Sequence, residues 1–144
     1  MKKILVLGST GQLGTALKND LTKWCEVTFL NRNDLDFTNI ESLNTKLKDL
    51  KPDFIINGAA YTNVDQAEEF IEKAFQVNSL AVEKLSKLAN NIGAVLVHFS
   101  TDYVFDGKKN TPYIETEIPN PLSIYGKSKL EGEQFVDCLL YTSD

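Results

Sequence analysis

Tyr125 and Lys129 are spaced so that both side chains would lie on one face of a helix, because residues four apart are neighbours there. A tyrosine hydroxyl can donate a proton to a developing alkoxide, and an ammonium one helical turn away stabilises the resulting phenolate. Thr101 adds a hydroxyl that could hold the same oxygen atom. The three residues predict acid–base chemistry, although a tyrosine and a lysine at this spacing also occur together on ordinary helix surfaces.

Gly8, Gly11 and Gly14 follow a short apolar run and open a segment with helical spacing. Glycines between a strand and a helix allow a tight turn, close approach of the backbone to a pyrophosphate and close packing of the helix on the strand. The helix N-terminus then offers free N–H groups to the phosphates. No Gly-Lys-Ser/Thr follows, so the phosphate-binding loop of the nucleoside triphosphatases is absent from this segment. The loop favours dinucleotide binding.

Asn31 and Arg32 follow the second predicted strand, where the adenosine end of a dinucleotide would lie. An acidic residue at the strand end accepts the ribose hydroxyls of NAD, whereas a basic residue favours the 2'-phosphate of NADP. The strand end carries no acidic residue. Arg32 therefore favours NADPH over NADH, with NADH as an open alternative, although loop arginines are also common on solvated surfaces.

These residues must be positioned by elements that alternate along the chain. The predicted strands are Lys3–Leu7, Glu26–Leu30, Asp53–Asn57 and Ala94–Phe99, and the predicted helices are Gln12–Leu21, Ile40–Leu50, Gln66–Asn91 and Tyr125–Val136. Alternation of this kind predicts an α/β fold with a doubly wound, Rossmann-like parallel sheet and right-handed crossovers. Ser100–Ile124, which holds three of the four prolines, is predicted to be a long functional loop.

The predicted helix Gln66–Asn91 is long enough to be two helices, with a break expected near Asn78. Asn91 and Gly93 are expected to form the C-cap at its end. An acidic run at its start favours the positive end of the helix dipole: Asp65, Glu68, Glu69 and Glu72. One broad apolar face is expected from Ala67, Phe70, Ile71, Ala74, Phe75, Ala81, Leu85, Leu88 and Ala89.

The composition is that of an ordinary globular domain of 144 residues with a formal net charge of −5. This acidic balance, with no basic stretch, argues against nucleic-acid binding. No apolar run is long enough for a membrane span or a signal-peptide core, so we expect a cytoplasmic chain. Cys25 and Cys138 lie far apart and favour neither a disulfide framework nor a zinc site. His98, in an apolar strand, is predicted to be a core or crevice-edge residue rather than a base.

Four segments together resemble the extended short-chain dehydrogenase/reductases, and within them the reductases of nucleotide sugars. They are Gly8–Gly14, Asn57–Asp65, Ser100–Gly107 and Tyr125–Lys129, and the likeness extends to about Val136. The resemblance implies that NADPH delivers a hydride to C4 of a dTDP-4-keto-6-deoxy sugar, namely dTDP-4-dehydro-L-rhamnose, which becomes dTDP-L-rhamnose. It also implies that Tyr125 donates the proton and that Lys129 binds the nicotinamide ribose and stabilises the tyrosinate.

The same resemblance implies the roles of individual residues. The catalytic residues would be Thr101, Tyr125 and Lys129. The cofactor would contact Gly8, Gly11, Gln12 and Leu13 at the pyrophosphate, Asn31 and Arg32 at the ribose, Asp36 and Phe37 at the adenine, and Ala59, Ala60, Tyr61, Tyr125 and Lys129 on the nicotinamide side. The substrate would contact Thr62, Val64, Thr101, Asp102 and Tyr103. Some relatives bind magnesium at a dimer interface through an acidic residue of the first helix, where this chain has Ala16, so no metal is expected.

Related functions stay open at this point. Nucleotide-sugar dehydratases carry an Asp-Glu pair after the threonine, and Asp102-Tyr103 in this chain disfavours dehydration. Epimerases keep the tyrosine and the lysine, so they are excluded less firmly. A non-catalytic NAD(P)-binding regulatory subunit, like that of methionine adenosyltransferase, uses the same fold, and the fold alone does not decide between them.

Members of this family are longer and continue after the tyrosine–lysine helix into further strands and a substrate-binding domain. We therefore predict an incomplete NAD(P)-binding domain over residues 1–137 and a tail over residues 138–144 that does not resemble the family's continuation. The fourth strand should then present an apolar edge. We expect such a chain to bind dinucleotide weakly and to turn over poorly alone, and we expect a homodimer for the full-length form.

Overall fold

Four parallel strands form one sheet in the computed structural model, which describes residues 1–140 of the chain. They are β1 (Lys3–Leu7), β2 (Glu26–Leu30), β3 (Phe54–Asn57) and β4 (Val95–His98), in the order β2-β1-β3-β4. Leu7 pairs in register with both Leu30 and Asn57, and Asn57 pairs with His98. The carboxyl ends of the strands therefore meet at one edge of the sheet.

Helices connect the strands and confirm the predicted doubly wound parallel sheet. They are α1 (Gln12–Leu21), α2 (Ile40–Leu50), α3 (Val64–Glu69), α4 (Ile71–Phe75), α5 (Ala81–Asn91) and α6 (Ile124–Leu140). A π-helical turn, Gln76–Leu80, joins α4 to α5, and a 3-10 turn, Asp102–Val104, follows β4. From β1 the chain passes to β2 on one side of β1, and it later returns to form β3 on the other side of β1. Ligands of such folds bind in the crevice at this reversal.

The hydrophobic core lies between the sheet and two of its helices. It joins Leu5, Leu7, Leu30 and Ile55 of the strands to Leu43 and Leu47 of α2 and Leu85 and Ala89 of α5. Continuous apolar strands are expected when both faces of a parallel sheet are covered, and Val6, between Leu5 and Leu7, is also fully buried. This packed core holds the strands in place, and the loops that form the crevice begin at the ends of these strands.

The segment predicted as Gln66–Asn91 breaks earlier than expected. Phe70 has φ −113° and ψ 56°, outside the helical region, and it separates α3 from α4. Asn78, where the break was predicted, lies in the π-helical turn that keeps the helix continuous. Phe70 and Ile71 are 53% and 46% exposed. Their assignment to the apolar face was therefore wrong, because the helix is interrupted at Phe70 and one face does not continue across the break.

The end of α5 follows the sequence prediction. Gly93 has φ +70°, and the Ala94 N–H donates to the Ala89 carbonyl at 2.9 Å. This pairing across a left-handed glycine is typical of a helix C-terminus and satisfies a carbonyl that would otherwise lack a partner. The chain then turns directly into β4.

β4 lies at the edge of the sheet, and the described residues provide no strand on its outer side. Val95, Val97 and Phe99 are 53%, 39% and 44% exposed. The prediction of an apolar edge is therefore confirmed. The predicted domain boundary at residue 137 falls within α6, and residues 141–144 of the predicted tail lie outside the described part of the chain. That tail stays a prediction.

Candidate active site

The loop after β1 places two of its glycines where side chains would not fit. Gly8 has φ +77°, and a Cβ there would lie 2.6 Å from the carbonyl carbon of Gly58. A Cβ on Gly14 would lie 2.5 Å from the Cα of Ser9. Gly11 differs, because its φ of −74° suits any residue and its Cβ would meet only the Gly8 carbonyl at 3.4 Å. Gly8 and Gly14 are thus required by packing, and Gly11 borders open space.

The N-terminus of α1 is prepared for an anion. Its N-cap, Gly11, has no side chain to accept a hydrogen bond, and the first turn carries no acidic residue. Among the described residues, the N–H groups of Gln12 and Leu13 find no acceptor. Unsatisfied N–H groups and the helix dipole together make such a terminus a phosphate site. The arrangement fits the pyrophosphate of a dinucleotide.

A cavity of about 1190 Å³ opens where the strands end. Typical sites for a single small ligand measure roughly 300–1,000 Å³, so this one is large enough for a dinucleotide. Every residue predicted to contact the cofactor lines it: Gly8, Gly11, Gln12, Leu13, Asn31, Arg32, Asp36, Phe37, Ala59, Ala60, Tyr61, Tyr125 and Lys129. Thr62 lines it as well, whereas Val64, Thr101, Asp102 and Tyr103 lie outside its wall.

The loop after β2 is held by its own polar groups. The Asn31 N–H donates to the Asp34 carboxylate at 2.8 Å. The Asp36 carboxylate accepts hydrogen bonds from the Thr38 hydroxyl at 2.7 Å and from the Thr38 N–H at 2.9 Å, and these bonds lower the pKa of Asp36. Arg32 is exposed, and none of the ion pairs among the described side chains involves it. Its guanidinium is therefore available to an anionic ligand.

Lys129 carries a charge in a buried position, with 3% of the residue exposed. Its ammonium donates a hydrogen bond of 2.5 Å to the Phe99 carbonyl, just beyond β4. Burial lowers the pKa of Lys129 to about 8, and the Glu133 carboxylate opposes this effect. The group is therefore largely protonated at neutral pH, and its position is fixed relative to the end of the sheet.

Tyr125 lies one turn before Lys129 on α6 and lines the same cavity. Its ring meets the Tyr103 ring edge-on, with centroids 5.5 Å apart. The Thr101 hydroxyl accepts from the Tyr103 N–H at 3.2 Å and donates to the Asp102 carboxylate at 3.3 Å. The structure thus brings the 3-10 turn that contains Asp102 and Tyr103 beside Tyr125, although this turn does not line the cavity.

Asn78 is a site residue that the sequence analysis missed. It is buried in the π-helical turn, where its carboxamide accepts from the Tyr61 N–H at 2.8 Å and donates to the Tyr61 carbonyl and the Ser128 hydroxyl, both at 3.0 Å. Ser128 in turn donates to the Tyr125 carbonyl at 2.8 Å. Asn78 therefore joins the loop after β3 to the helix that carries Tyr125. A polar residue inside an apolar helical run was the only signal in the sequence.

Further residues line the cavity without having been predicted, among them Lys73, Gln76, Val77 and Ser100. Lys73 and Gln76 are exposed polar residues of a helical segment. Such residues are common on solvated helix faces, so the sequence pattern alone gave no reason to select them.

His98 is a neutral residue at the edge of the crevice. The Asn57 carboxamide oxygen accepts from the Ala59 N–H, which directs its NH2 group toward the His98 Nδ1 at 3.1 Å. Nε2 then carries the proton and, among the described residues, is buried without a partner. Burial, with a further contribution from the charge of Lys129, lowers the pKa of His98 to about 4. The position agrees with the crevice-edge prediction.

Two further properties concern the described part of the chain as a whole. Among these residues, no three His, Cys, Asp or Glu side chains are grouped as they would be around a metal ion. None of the helices described combines the length and the apolar character needed to span a bilayer.

Comparison with known proteins gives consistent matches along nearly the whole chain. Residues 1–141 match the protein family described as RmlD substrate binding domain. The chain is 44% identical over 138 residues to a dTDP-4-dehydrorhamnose reductase from Aggregatibacter actinomycetemcomitans. This match covers 94% of the chain and 47% of the relative.

Solved structures with the same name share the fold closely. The dTDP-4-dehydrorhamnose reductase of Clostridium acetobutylicum is 43% identical with a TM-score of 0.92, over 95% of this chain and 49% of that one. The Bacillus anthracis reductase, in complex with NADP, is 38% identical with a TM-score of 0.93, over 96% and 50%. The chain thus spans about half the length of these relatives. With its glycine loop, parallel sheet and tyrosine–lysine helix, it belongs to the RmlD substrate binding domain family.

Proposed function

We propose that this chain forms the cofactor-binding and proton-donating part of a reductase that converts dTDP-4-dehydro-L-rhamnose to dTDP-L-rhamnose with NADPH. The observation that carries the proposal is one cavity that contains both the glycine loop and the Tyr125–Lys129 face of α6. Such a combination supplies a phosphate site and a proton donor to the same bound molecules. The product is a nucleotide sugar of the kind used to build cell-wall polysaccharides.

The sheet order supports the proposed orientation of the cofactor. Arg32 follows β2, the glycine loop follows β1, Tyr61 follows β3, and Lys129 is bonded beside β4. An extended dinucleotide would therefore place its adenosine at Arg32, its pyrophosphate at the glycine loop and its nicotinamide near Tyr61 and Tyr125. Bound NADPH supplies the hydride for the reduction. The NADP found in the Bacillus anthracis relative supports this choice of cofactor.

Proton donation is assigned to the Tyr125 hydroxyl. The Lys129 ammonium, one helical turn away, stabilises the tyrosinate that remains after the proton has moved to the substrate oxygen. The hydrogen bond from Lys129 to the Phe99 carbonyl holds this charge at the end of the sheet. Lys129 is buried, and the effect of a charge on its neighbours is stronger where the charge is removed from water.

The substrate contacts are proposals of the same kind. Thr62 lines the cavity, Val64 begins α3 beside it, and the turn from Thr101 to Tyr103 lies against Tyr125. We assign these residues to the sugar end of the substrate and Thr101 to its C4 oxygen. A homodimer remains the expected state of a full-length protein.

The test uses a chimera in which this chain is joined to the second half of the Clostridium acetobutylicum relative. The chimera is mixed with NADPH and dTDP-4-dehydro-L-rhamnose, and NADPH consumption and dTDP-L-rhamnose formation are followed. We expect Tyr125→Phe to lower kcat by roughly 10²–10⁴-fold. NADPH affinity should stay within twofold of the parent.

Tyr113→Phe is the matched control, because Tyr113 bonds to Asp106 in the long loop and does not line the cavity. This variant should keep its activity. A chimera that binds NADPH but leaves the sugar unreduced would support the non-catalytic regulatory alternative instead. An unchanged kcat for Tyr125→Phe would show that the proton donor has been assigned wrongly.

A further inference from the structure

We propose that Lys73 is a contact for the pyrophosphate of the bound dinucleotide. It would act as a second, cationic holder in addition to the N–H groups of the glycine loop. The inference rests on the proposed function, because it assumes that the cavity holds a nicotinamide dinucleotide. Neither the spacing of the motifs nor the resemblance to the reductases pointed to this residue.

Lys73 is held at the rim of the cavity by an aromatic ring. It lies in α4 and lines the cavity, and its ammonium stands 5.8 Å from the centroid of the Tyr61 ring. A cation over an aromatic face at this distance is weakly attracted to it. The contact is loose enough for the flexible side chain to leave it for a stronger anionic partner.

The Tyr61 ring is itself a fixed support. Its backbone N–H and carbonyl are both bonded to the buried Asn78 carboxamide, at 2.8 and 3.0 Å. Its hydroxyl donates to the Gln66 side chain at 3.4 Å. Because its backbone and its hydroxyl are both restrained, the Tyr61 ring that Lys73 contacts has a fixed place beside the cavity.

The charge of Lys73 has no anionic partner in the described part of the chain. The salt bridges formed there involve other lysines, although Glu69 and Glu72 are close to Lys73 in sequence. Lys129, by contrast, already donates to the Phe99 carbonyl. An uncommitted ammonium beside an anion site is suited to a phosphate group.

The charges around the cavity also favour an anionic ligand. Its wall carries three cations, Arg32, Lys73 and Lys129, and one carboxylate, Asp36. The chain as a whole has a formal net charge of −5. A cationic wall on an acidic protein raises the local concentration of anions.

The sheet order identifies which phosphate Lys73 would meet. Neighbouring strands are about 4.8 Å apart, so the loop after β3 lies one spacing from the glycine loop after β1 and roughly 10 Å from the loop after β2. Lys73 is attached to the β3 side through Tyr61, whereas Arg32 follows β2. Lys73 is therefore closer to the pyrophosphate at the glycine loop than to the 2'-phosphate, which we assign to Arg32.

The test compares NADPH and NADH binding by the 144-residue chain and by its Lys73→Met variant, using nicotinamide fluorescence. Lys84→Met is the matched control, since Lys84 is exposed on α5 and does not line the cavity. We expect Lys73→Met to raise Kd about fivefold for both cofactors, as the loss of one exposed charge contact would do. The difference should shrink at high ionic strength, because salt screens an exposed charge.

Each other outcome overturns the inference in a distinct way. A loss of affinity for NADPH alone would move Lys73 to the 2'-phosphate. Equal affinities for Lys73→Met and the parent would remove Lys73 from the site, while the proposed function would stand. If the parent chain unfolds cooperatively on heating but binds neither cofactor, both the inference and the proposed cofactor site are overturned.

Discussion

At the scale of the residue, Lys129 shows a conflict between stability and chemistry. Burying an ammonium costs free energy, and one carbonyl does not replace the hydration that the group loses. The depressed pKa of Lys129, about 8, expresses this cost. A packed methylene chain without a charge would suit the position better for stability alone. The buried cation is therefore best explained by a function at the cavity, which agrees with the role proposed for it.

Lys129→Met should raise the free energy of unfolding at pH 7 and change its pH dependence. The folded pKa of about 8 lies below the usual lysine value of 10.5, so the unfolded chain binds more protons between these values. The parent should therefore gain roughly 2 to 3 kcal/mol of stability as pH rises from 8 to 10.5. Urea unfolding across this range should show no such gain in the variant. A gain of equal size in Lys129→Met would refute the assignment.

His98→Gln should change the acid limb of the same curve. The pKa of His98 is about 4 in the folded chain against 6.5 for a free histidine, so stability rises as pH increases through this window and is fully present above it. The rise should amount to about 2 kcal/mol in the parent and vanish in the variant. Ring-proton NMR of the parent gives the His98 pKa directly. A value near 6.5 would contradict the buried, neutral ring.

Arg32→Ala should alter cofactor preference. Arg32 is exposed, lies after β2 and forms none of the ion pairs described, so its guanidinium is free to meet a 2'-phosphate. We expect NADPH affinity to fall about tenfold and NADH affinity to stay constant, as for loss of one charge-assisted contact. Parallel titrations measure both values. Equal changes for the two cofactors would assign Arg32 to a feature that they share.

The residues that could be predicted are those whose signal is local. Gly8, Gly11 and Gly14 mark a turn by their spacing, and Tyr125 and Lys129 mark a helix face. Asn78 carried no comparable signal, because its partners Tyr61 and Ser128 are 17 and 50 residues away in sequence. Contacts of this kind exist only after the chain has folded.

At the scale of the element, the turn from β1 into α1 depends on close backbone approach. Gly8→Ala should lower the free energy of unfolding by at least about 2 kcal/mol, because the added Cβ meets the Gly58 backbone at 2.6 Å and the φ of +77° is strained for alanine. Gly93→Ala is the matched control: it has φ +70° but nothing within 4 Å. It should cost only about 1 kcal/mol. Equal losses in urea unfolding would show that strain alone matters at Gly8.

Strands and most helices could be predicted because their apolar periodicity reflects burial. The strand Lys3–Leu7 and the helices Gln12–Leu21 and Ile40–Leu50 have the same bounds in the structure as in the prediction. The break at Phe70 could not be predicted, since no glycine or proline stands there and phenylalanine fits a helix. The backbone leaves the helical region at Phe70, with φ −113° and ψ 56°, at a position that the local sequence pattern does not mark.

At the scale of the whole molecule, the chain has an exposed apolar strand edge. Val95 and Val97 of β4 are half-exposed, and exposed edges of this kind promote pairing between chains. We expect the purified chain to self-associate as its concentration rises. Val95→Thr with Val97→Thr should reduce this association, and Val27→Thr on β2, at the other edge of the sheet, is the control. Sedimentation that shows a monomer at all concentrations would contradict this expectation.

The extent of the match determines which part of the proposed activity this chain can perform alone. The chain spans about half the length of its reductase relatives, and this half contains the glycine loop, the tyrosine and the lysine. Cofactor binding is therefore the part of the account that the chain alone can test. Reduction of the sugar also needs substrate contacts, and this chain supplies only some of them.

The most direct test is a titration of NADPH into the chain and its Gly11→Val variant, following nicotinamide fluorescence and thermal unfolding together. The φ of Gly11 suits valine and its Cβ would make no close contact, so the variant should fold, while its side chain enters the phosphate site. For the parent we predict saturable NADPH binding and a Tm that rises with NADPH. For Gly11→Val we predict no binding and a Tm that NADPH does not change. A cooperatively folded parent that binds no NADPH, or equal binding by both chains, would contradict the dinucleotide site.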